Sequence, residues 1–372
     1  MRIKNTHRDA PDDRTNNEGE HHENNTAPED YKLIAAYVQD KLYEIQNPQS
    51  CESAKKVVCD LPRTGFGSQV HLLTVCFTVG FMTHRTVICR KGQSVYEQNG
   101  WGDLFLPLSK NCSQLSNQTV LKVTTLSKTE NIPVIQVAFG PTYIKLERSI
   151  PENIRKRVLR FHPDPQLWWA GQMISYILRP TIRLNNLITE SRVSLGFKKV
   201  IVGLHIRRTD KLKEAYYYNV TEYMKAADNW FNIYEQSTGR AVKTRKIFLV
   251  TDEPSVVSEA NQLFSNYTVI NNMNATVAAS KYTLRLKYSS LKDTINDIFL
   301  LSMCDYIVCT MSSNICRLAF ELMQTRHKDG SKYAKSLDCE YFIHKLYKRQ
   351  CDLKPERDRQ FNNTYTNLKL WS

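Results

Sequence analysis

The sequence has no stretch of apolar residues approaching the ~20 needed to cross a bilayer. Its longest run, VHLLTVCFTVGFM from Val70, is interrupted by His71 and reads as a buried element. The N-terminus carries no signal-peptide apolar core. No membrane span is therefore expected in these 372 residues. A dense Lys/Arg tract with interleaved aromatics is also missing, which argues against nucleic acid as a partner. There is no HExxH, no pair of CxxC motifs and no isolated DxD, so no metal site is expected. TDE at Thr251–Glu253 fits a helix cap better. GxSxG and Walker A sequences are absent. GFG at Gly65–Gly67 is too short for a dinucleotide fingerprint, although glycines there would let backbone approach a ligand. Large apolar side chains are nearly absent from residues 1–30, which cannot bury enough surface to offset their ordering entropy.

What is present is basic and rich in cysteine. The net charge is +14, which suits an anionic partner such as a nucleotide diphosphate and equally describes a basic solvated surface. Ten cysteines and seven N-glycosylation sequons (Asn24, Asn111, Asn117, Asn219, Asn266, Asn274 and Asn362) point to the secretory pathway. The missing leader points instead to free thiols in a cytosolic protein, and at this level both readings stand.

After the tail, DYKLIAAYVQDKLYEIQNP has apolar residues at helical spacing and stops at Pro48. An α/β region follows, with strand-like runs at Thr86–Cys89 and Val134–Ala138 and a helical segment between Pro165 and Pro180. The Trp168–Trp169 pair reads as core. From Lys198 the pattern becomes regular. KKVIVGLHI is a continuous β-branched run of the kind found in buried parallel strands. Next come a helix (VTEYMKAADNWFNIYEQ), the strand RKIFLVTD, a helix from Pro254 and the strand YTVI. A helix (LKDTINDIFLLSMC), the strand DYIVCT and the helix SNICRLAFELMQ complete the series. Such alternation predicts βαβ units and a doubly wound parallel sheet, whose ligands bind beyond the carboxyl ends of the strands. Three strands end in the polar clusters HIRRTDK, TDEP and TMSSN, which would share one rim.

VGLHIRRTDK is the sharpest of these clusters. Arg207 and Arg208 are adjacent on extended backbone, so one can face a ligand while the other faces the protein. A guanidinium fork suits a diphosphate. Glu214 follows on the same loop. Transfer of a sugar with inversion needs one carboxylate to take the proton of the attacking hydroxyl, and positive charge or N–H donors for the leaving diphosphate. Ser312, Ser313 and the amides opening the last helix offer such donors. Ordinary N-capping by Ser or Asn is the plainer explanation of that loop, and the two are compatible.

In order and spacing, several segments resemble the Golgi alpha-1,6-fucosyltransferases that core-fucosylate N-glycans. They are CESAKKVVCDLP, GFGSQVHLLTVCF, GWGDLFLPLSKNC, HPDPQLWWAGQMISYILRP, VGLHIRRTDK, TDEPS, LKDTINDIFLLSMCDYIVCTMSSNICRLAFELMQT and SLD. The resemblance covers roughly Cys51 to Phe342. It implies a two-domain, GT-B-like α/β glycosyltransferase with a C-terminal Rossmann-like parallel sheet. The expected division is a disordered polar tail (1–30), a leading helix (31–50), an open α/β domain (51–196), a Rossmann-like GDP-fucose-binding domain (197–342) and a basic polar tail (343–372).

By this resemblance GDP-fucose is the donor, an N-glycan on a glycoprotein is the acceptor, no metal or other cofactor is needed, and the address is the Golgi lumen. Arg207 falls on the arginine gripping the donor's β-phosphate, and His205 and Asp297 on guanine-recognition positions. Lys211 and Glu214 fall on the catalytic loop, with Glu214 as base in a loop one residue shorter than the family's. Arg208, Ser312, Ser313, Asn314, Gly65 and Gly67 are grouped with the donor, Asn314 standing where the family has glutamine. Asp252 and Asp338 are grouped with the acceptor. The family pattern pairs Cys51 with Cys112, Cys59 with Cys76, and Cys309 with Cys316. Its further pair beside the GFG turn is replaced by Thr64 and Ser68. Its anchor, stem and C-terminal SH3-like domain have no counterpart here. A different acceptor such as a chito-oligosaccharide, or a non-catalytic GDP-sugar-binding role, are the rival readings. The sequence leaves the oligomeric state open, a homodimer included.

Overall fold

The computed structural model describes residues 30–62, 64–90, 101–115, 118–137, 150–209, 216–285 and 287–341. Helix α1 (Asp30–Gln46) opens the described chain and buries Ile34, Val38 and Leu42, one stripe at helical spacing. It is followed by β1 (Lys56–Cys59), α2 (Phe66–Thr83), β2 (Thr86–Cys89), α3 (Trp101–Leu104), β3 (Leu121–Val123) and β4 (Val134–Val137). The four strands form a parallel sheet in the order β2-β1-β4-β3.

Three helices lead out of this sheet: α4 (Glu152–Val158), α5 (Pro165–Ile177) and α6 (Ile182–Ser194). Asp164 caps α5, accepting from the backbone N–H of Gln166 and Leu167, with Pro165 at the first helical position. The second sheet comprises β5 (Ile201–Ile206), α7 (Val220–Thr238), β6 (Arg245–Thr251), α8 (Pro254–Leu263), β7 (Tyr267–Ile270), α9 (Met273–Ser280), α10 (Tyr282–Arg285), α11 (Tyr288–Met303), β8 (Tyr306–Cys309), α12 (Asn314–Met323) and β9 (Ala334–Ser336). Its five strands are parallel in the order β7-β6-β5-β8-β9. The α/β, two-sheet layout expected from the sequence is present, and the run from Lys198 does become the buried central strand of the second sheet.

The strand order matters for function. From β5 the chain winds outward through β6 and β7, then returns to the other side of β5 at β8. That reversal makes a crevice beyond the carboxyl ends of β5 and β8, where doubly wound sheets hold ligands.

Helix α2 is long and apolar enough to cross a bilayer by composition alone, yet 83% of it is buried inside the protein. Covered on nearly all sides, it needs no polar face. One continuous hydrophobic cluster joins the two sheets, running from Val57 and Phe77 through Trp168 and Trp169 to Phe248, Leu300 and Leu318. The tryptophan pair is thus core, with the Trp169 indole N–H donating to Thr78 Oγ1 at 3.0 Å. A second cluster packs α7 and α8 on the far face of β5 and β6. Gly203 of β5 lets α11 lie close: a Cβ there would stand 2.9 Å from Leu301 Cδ2 and 3.0 Å from Cys304 Sγ.

All three expected disulfides form, Cys51–Cys112, Cys59–Cys76 and Cys309–Cys316. Cys339 is also disulfide-bonded. Cys304 is a buried thiol whose pKa burial pushes well up, as suits an inert core position. The disulfides mark a protein of an oxidising, non-cytosolic compartment.

Candidate active site

The carboxyl ends of β5, β6 and β8 bring the three polar clusters to one rim. The arginine pair divides as extended backbone requires. Arg208 is 5% exposed; its guanidinium pairs with Glu259 at 3.2 Å and Glu253 at 3.7 Å, and lies 4.4 Å over the Tyr217 ring. Grouped with the donor from the sequence, it is held by these partners through Nη1, while its Nε and Nη2 find none among the described residues. Arg207 stays at the rim, where its guanidinium donates to Asp252 Oδ2 at 2.6 Å.

Asp252 is the knot of this rim. It is 3% exposed, and its carboxylate accepts from Arg207, from the Arg208 backbone N–H at 2.8 Å and from the Thr209 hydroxyl. Arg285 closes the cluster, 3.7 Å from Asp252 and donating to Thr209 Oγ1 at 2.9 Å. Grouped with the acceptor from the sequence, Asp252 here ties the end of β6 to the turn after β5 and aims Arg207. Thr209 and Arg285 were not anticipated. Arg285 is 76 residues from Thr209, and nothing in SKYTLRLKY marks it as a rim residue.

His205 and Asp297 approach from strand and helix. In a βαβ unit the helix runs antiparallel to the strands, so a step up β5 matches a step back along α11. Gly203 packs on Leu301 and Cys304. Two residues further along β5, about 6.6 Å, is His205. One turn back from Leu301, about 6 Å, is Asp297. Both therefore lie at the carboxyl end on the same layer.

His205 is 4% exposed, and burial, helped by the Arg207 charge and opposed by Asp252, pushes its pKa down to about 4. The imidazole is neutral at pH 7. Burial, with the Asp293 charge second, raises the Asp297 carboxyl well above the usual range, and a hydrogen bond from Asn272 works against the shift. His205 Nδ1 and Asp297 Oδ1 find no hydrogen-bond partner among the described residues. Buried polar atoms are rarely left so, and a ligand's donors and acceptors would satisfy both.

The third cluster opens α12. Ser313 occupies the N-cap position without a side-chain capping bond, so ordinary capping does not account for that serine. Ser312 Oγ is buried without a partner among the described residues. The turn is propped from behind: Met311 N–H donates to Ser336 Oγ at 3.1 Å, and Ser312 N–H to Asp338 Oδ2 at 3.3 Å. Asp338, grouped with the acceptor, also accepts from the Ser336 hydroxyl at 2.9 Å and the Cys339 N–H at 2.7 Å.

Asn314 abuts the first half of the chain. A Cβ on Gly67 would fall 2.7 Å from Asn314 Cβ, so only glycine fits there. A Cβ on Gly65, the N-cap residue of α2, would meet nothing within 4 Å. The amino ends of α2 and α12 therefore converge at one point, each without a side-chain cap. Two helix N-termini present partial positive charge and N–H donors together, a setting made for an anion. Since Leu204 pairs with Val308, the turn that bears Arg207 and the turn that leads into α12 leave neighbouring strands, whose backbones lie about 4.8 Å apart.

Glu253 stands at the N-cap of α8, as expected of TDE, but its side chain makes no capping bond and accepts instead from the Ser255 hydroxyl at 2.9 Å. Among the described residues no group of three or more His, Cys, Asp or Glu side chains could hold a metal ion. Asp210, Lys211 and Glu214 lie outside the described residues.

A family model described as alpha-(1,6)-fucosyltransferase N- and catalytic domains matches residues 13–342. The chain belongs to the alpha-(1,6)-fucosyltransferase family. It is similar to an alpha-(1,6)-fucosyltransferase of Drosophila melanogaster, 36% identical over 314 residues that cover 83% of this chain and 50% of the relative. The Caenorhabditis elegans alpha-(1,6)-fucosyltransferase is 34% identical over 320 residues, covering 80% of this chain and 55% of that protein. The chain thus spans about half the length of the curated relatives it matches. Among solved structures, the fucosyltransferase NodZ from Bradyrhizobium matches with a TM-score of 0.45 and 14% identity, over 72% of this chain and 92% of NodZ.

Proposed function

We propose that this protein transfers L-fucose from GDP-fucose to the 6-hydroxyl of the innermost GlcNAc of N-glycans, with inversion at the anomeric carbon and without a metal ion. The observation that carries the reading is the meeting of two uncapped helix N-termini, α2 and α12, beside Arg207 at the switch point of a parallel sheet. A diphosphate needs such a site. Family membership supplies the sugar and the linkage, since the Drosophila and Caenorhabditis relatives are named for alpha-(1,6)-fucosyl transfer.

In this mechanism His205 and Asp297 read the guanine, and residues 197–342 hold the donor. Arg207, aimed by Asp252, meets the diphosphate with the amides that open α12. Glu214 takes the proton of the 6-hydroxyl as its oxygen bonds to fucose C1 from the face opposite the phosphate. The C1–O bond breaks and GDP leaves with its electron pair. Its added negative charge is met by fixed donors, so no protonating acid is required. Lys211 adds a further positive charge on the same loop. A Golgi lumen address follows from the proposed acceptor.

Transfer of labelled fucose to a biantennary N-glycan with an exposed terminal GlcNAc, in EDTA, tests all of this. Wild type should transfer, and Glu214→Gln should lose at least about 10²-fold in kcat with GDP affinity retained. GDP binding without transfer to this or any arrayed glycan would favour the non-catalytic reading. Failure to bind GDP would end both.

A further inference from the structure

The contact between α2 and α12 continues inward as a chain of buried polar groups. His71, 4% exposed on α2, places Nδ1 3.1 Å from Asn314 Oδ1 and Nε2 2.9 Å from Glu321 Oε2. The Asn314 oxygen also accepts from the Arg317 guanidinium, which fixes the amide with its oxygen toward the ring. Glu321 is fully buried, and its other oxygen accepts from the Tyr341 hydroxyl at 2.7 Å. Arg317, 3% exposed, donates in addition to the Met311 carbonyl at 3.2 Å. Both ring nitrogens of His71 therefore face oxygens, and the ring donates to both when each nitrogen carries a proton. One acceptor belongs to the first turn of α12, and the other lies two turns deeper in the same helix.

We propose that His71 is a positioning residue for the donor diphosphate. By holding Asn314 through Nδ1, it fixes the angle at which the amino end of α12, with Ser312 and Ser313, meets the anion. It also sets the distance between that end and the amino end of α2. The Glu321 contact has a different role: it anchors the imidazole in the interface. A residue 243 positions before Asn314 thereby sets the geometry of a site it does not touch. This inference rests on the proposed binding of a nucleoside diphosphate at that rim.

The two contacts can be cut separately, because an asparagine amide nitrogen stands near where histidine carries Nδ1 and a glutamine amide nitrogen near where it carries Nε2. His71→Asn keeps a donor for Asn314 and loses Glu321. His71→Gln keeps a donor for Glu321 and loses Asn314. Each removes one buried hydrogen bond, so a purely structural role predicts similar melting temperatures and similar activities for both. Positioning predicts a split. His71→Gln should raise the KM for GDP-fucose and the Kd for GDP roughly tenfold, while kcat at saturating donor changes less than about threefold. His71→Asn should recover most of that loss at the same melting temperature.

Asn314→Ala is a second arm, since it leaves His71, Glu321 and Tyr341 in place. It should reproduce the His71→Gln effect, and the two changes combined should cost no more than either alone. Equal GDP affinity in His71→Asn and His71→Gln, or additive losses in the double variant, would overturn the inference while wild type still bound GDP. Absence of GDP binding by wild type would instead bring down the functional reading, and this inference with it.

Discussion

At the carboxyl ends of the first sheet, β1 and β2 finish in Cys59 and Cys89. Beyond them lies a cavity of about 340 Å3 lined largely by Leu61, Leu73, Phe105, Leu106 and Pro107. Its charged neighbour Arg90 is ion-paired with Asp60 at 3.4 Å. At the carboxyl ends of the second sheet the same position in the architecture holds Arg207, Asp252 and the Ser312–Ser313 turn, with buried atoms of His205 and Asp297 that lack partners among the described residues just beneath. Both sheets are parallel and both are layered with helices. The fold supplies two comparable rims, and their side chains differ in charge and polarity. The apolar rim pairs Arg90 with Asp60. The polar rim leaves His205 Nδ1, Asp297 Oδ1 and Ser312 Oγ without partners among the described residues.

Three measurements would break or sharpen this contrast. The largest effect belongs to Arg207→Ala, which removes a fixed cation from the developing diphosphate charge. It should lower kcat/KM for GDP-fucose by roughly 10²–10³-fold, and a loss below tenfold would mean that the anion sits elsewhere.

Asp297→Asn comes next, through pH. Burial raises the pKa of Asp297 in the empty protein. A carboxylate accepting guanine N–H groups must be ionised, so binding lowers that pKa and expels a proton at any pH where the empty site holds one. GDP affinity should then strengthen as pH rises toward the raised pKa and level off above it. Calorimetry in two buffers of different ionisation heat should register the released proton. Asparagine should weaken GDP by about 10–100-fold and abolish the proton release; a pH-independent wild type would remove Asp297 from the base site. The smallest effect is expected on the other rim. Leu106→Ala, at a side chain 45% exposed over the apolar cavity, should leave the GDP Kd within about twofold by the same calorimetry.

Legibility in the sequence followed the same divide. The second sheet was readable because β5 is an apolar run interrupted only by His205 and its strands alternate with helices at even spacing. Helix α2 could be read only as a buried element, since a helix covered all round shows no 3.6-residue stripe. β3 and β9, of three residues each, are too short to set a pattern. Arg207 and the Ser312–Ser313 turn could be placed at the rim because each directly follows a strand. The way Asp252 gathers Arg207, Arg208, Thr209 and Arg285 could not, nor could the bridge from His71 to Asn314 and Glu321. Both are made by side chains far apart in sequence, and no local pattern encodes which turn will face which helix.

The disulfide between Cys309 and Cys316 brackets the six residues of the turn that carries Ser312, Ser313 and Asn314. One cysteine ends β8 and the other lies in the first turn of α12, so both ends of the segment are riveted to rigid elements. Surface loops ordinarily absorb insertions and deletions over evolutionary time. This one cannot, because a residue gained or lost between the two sulfurs would have to bulge into the proposed anion site or pull α12 off Gly67. Its residues are free to vary in kind, but its length is locked.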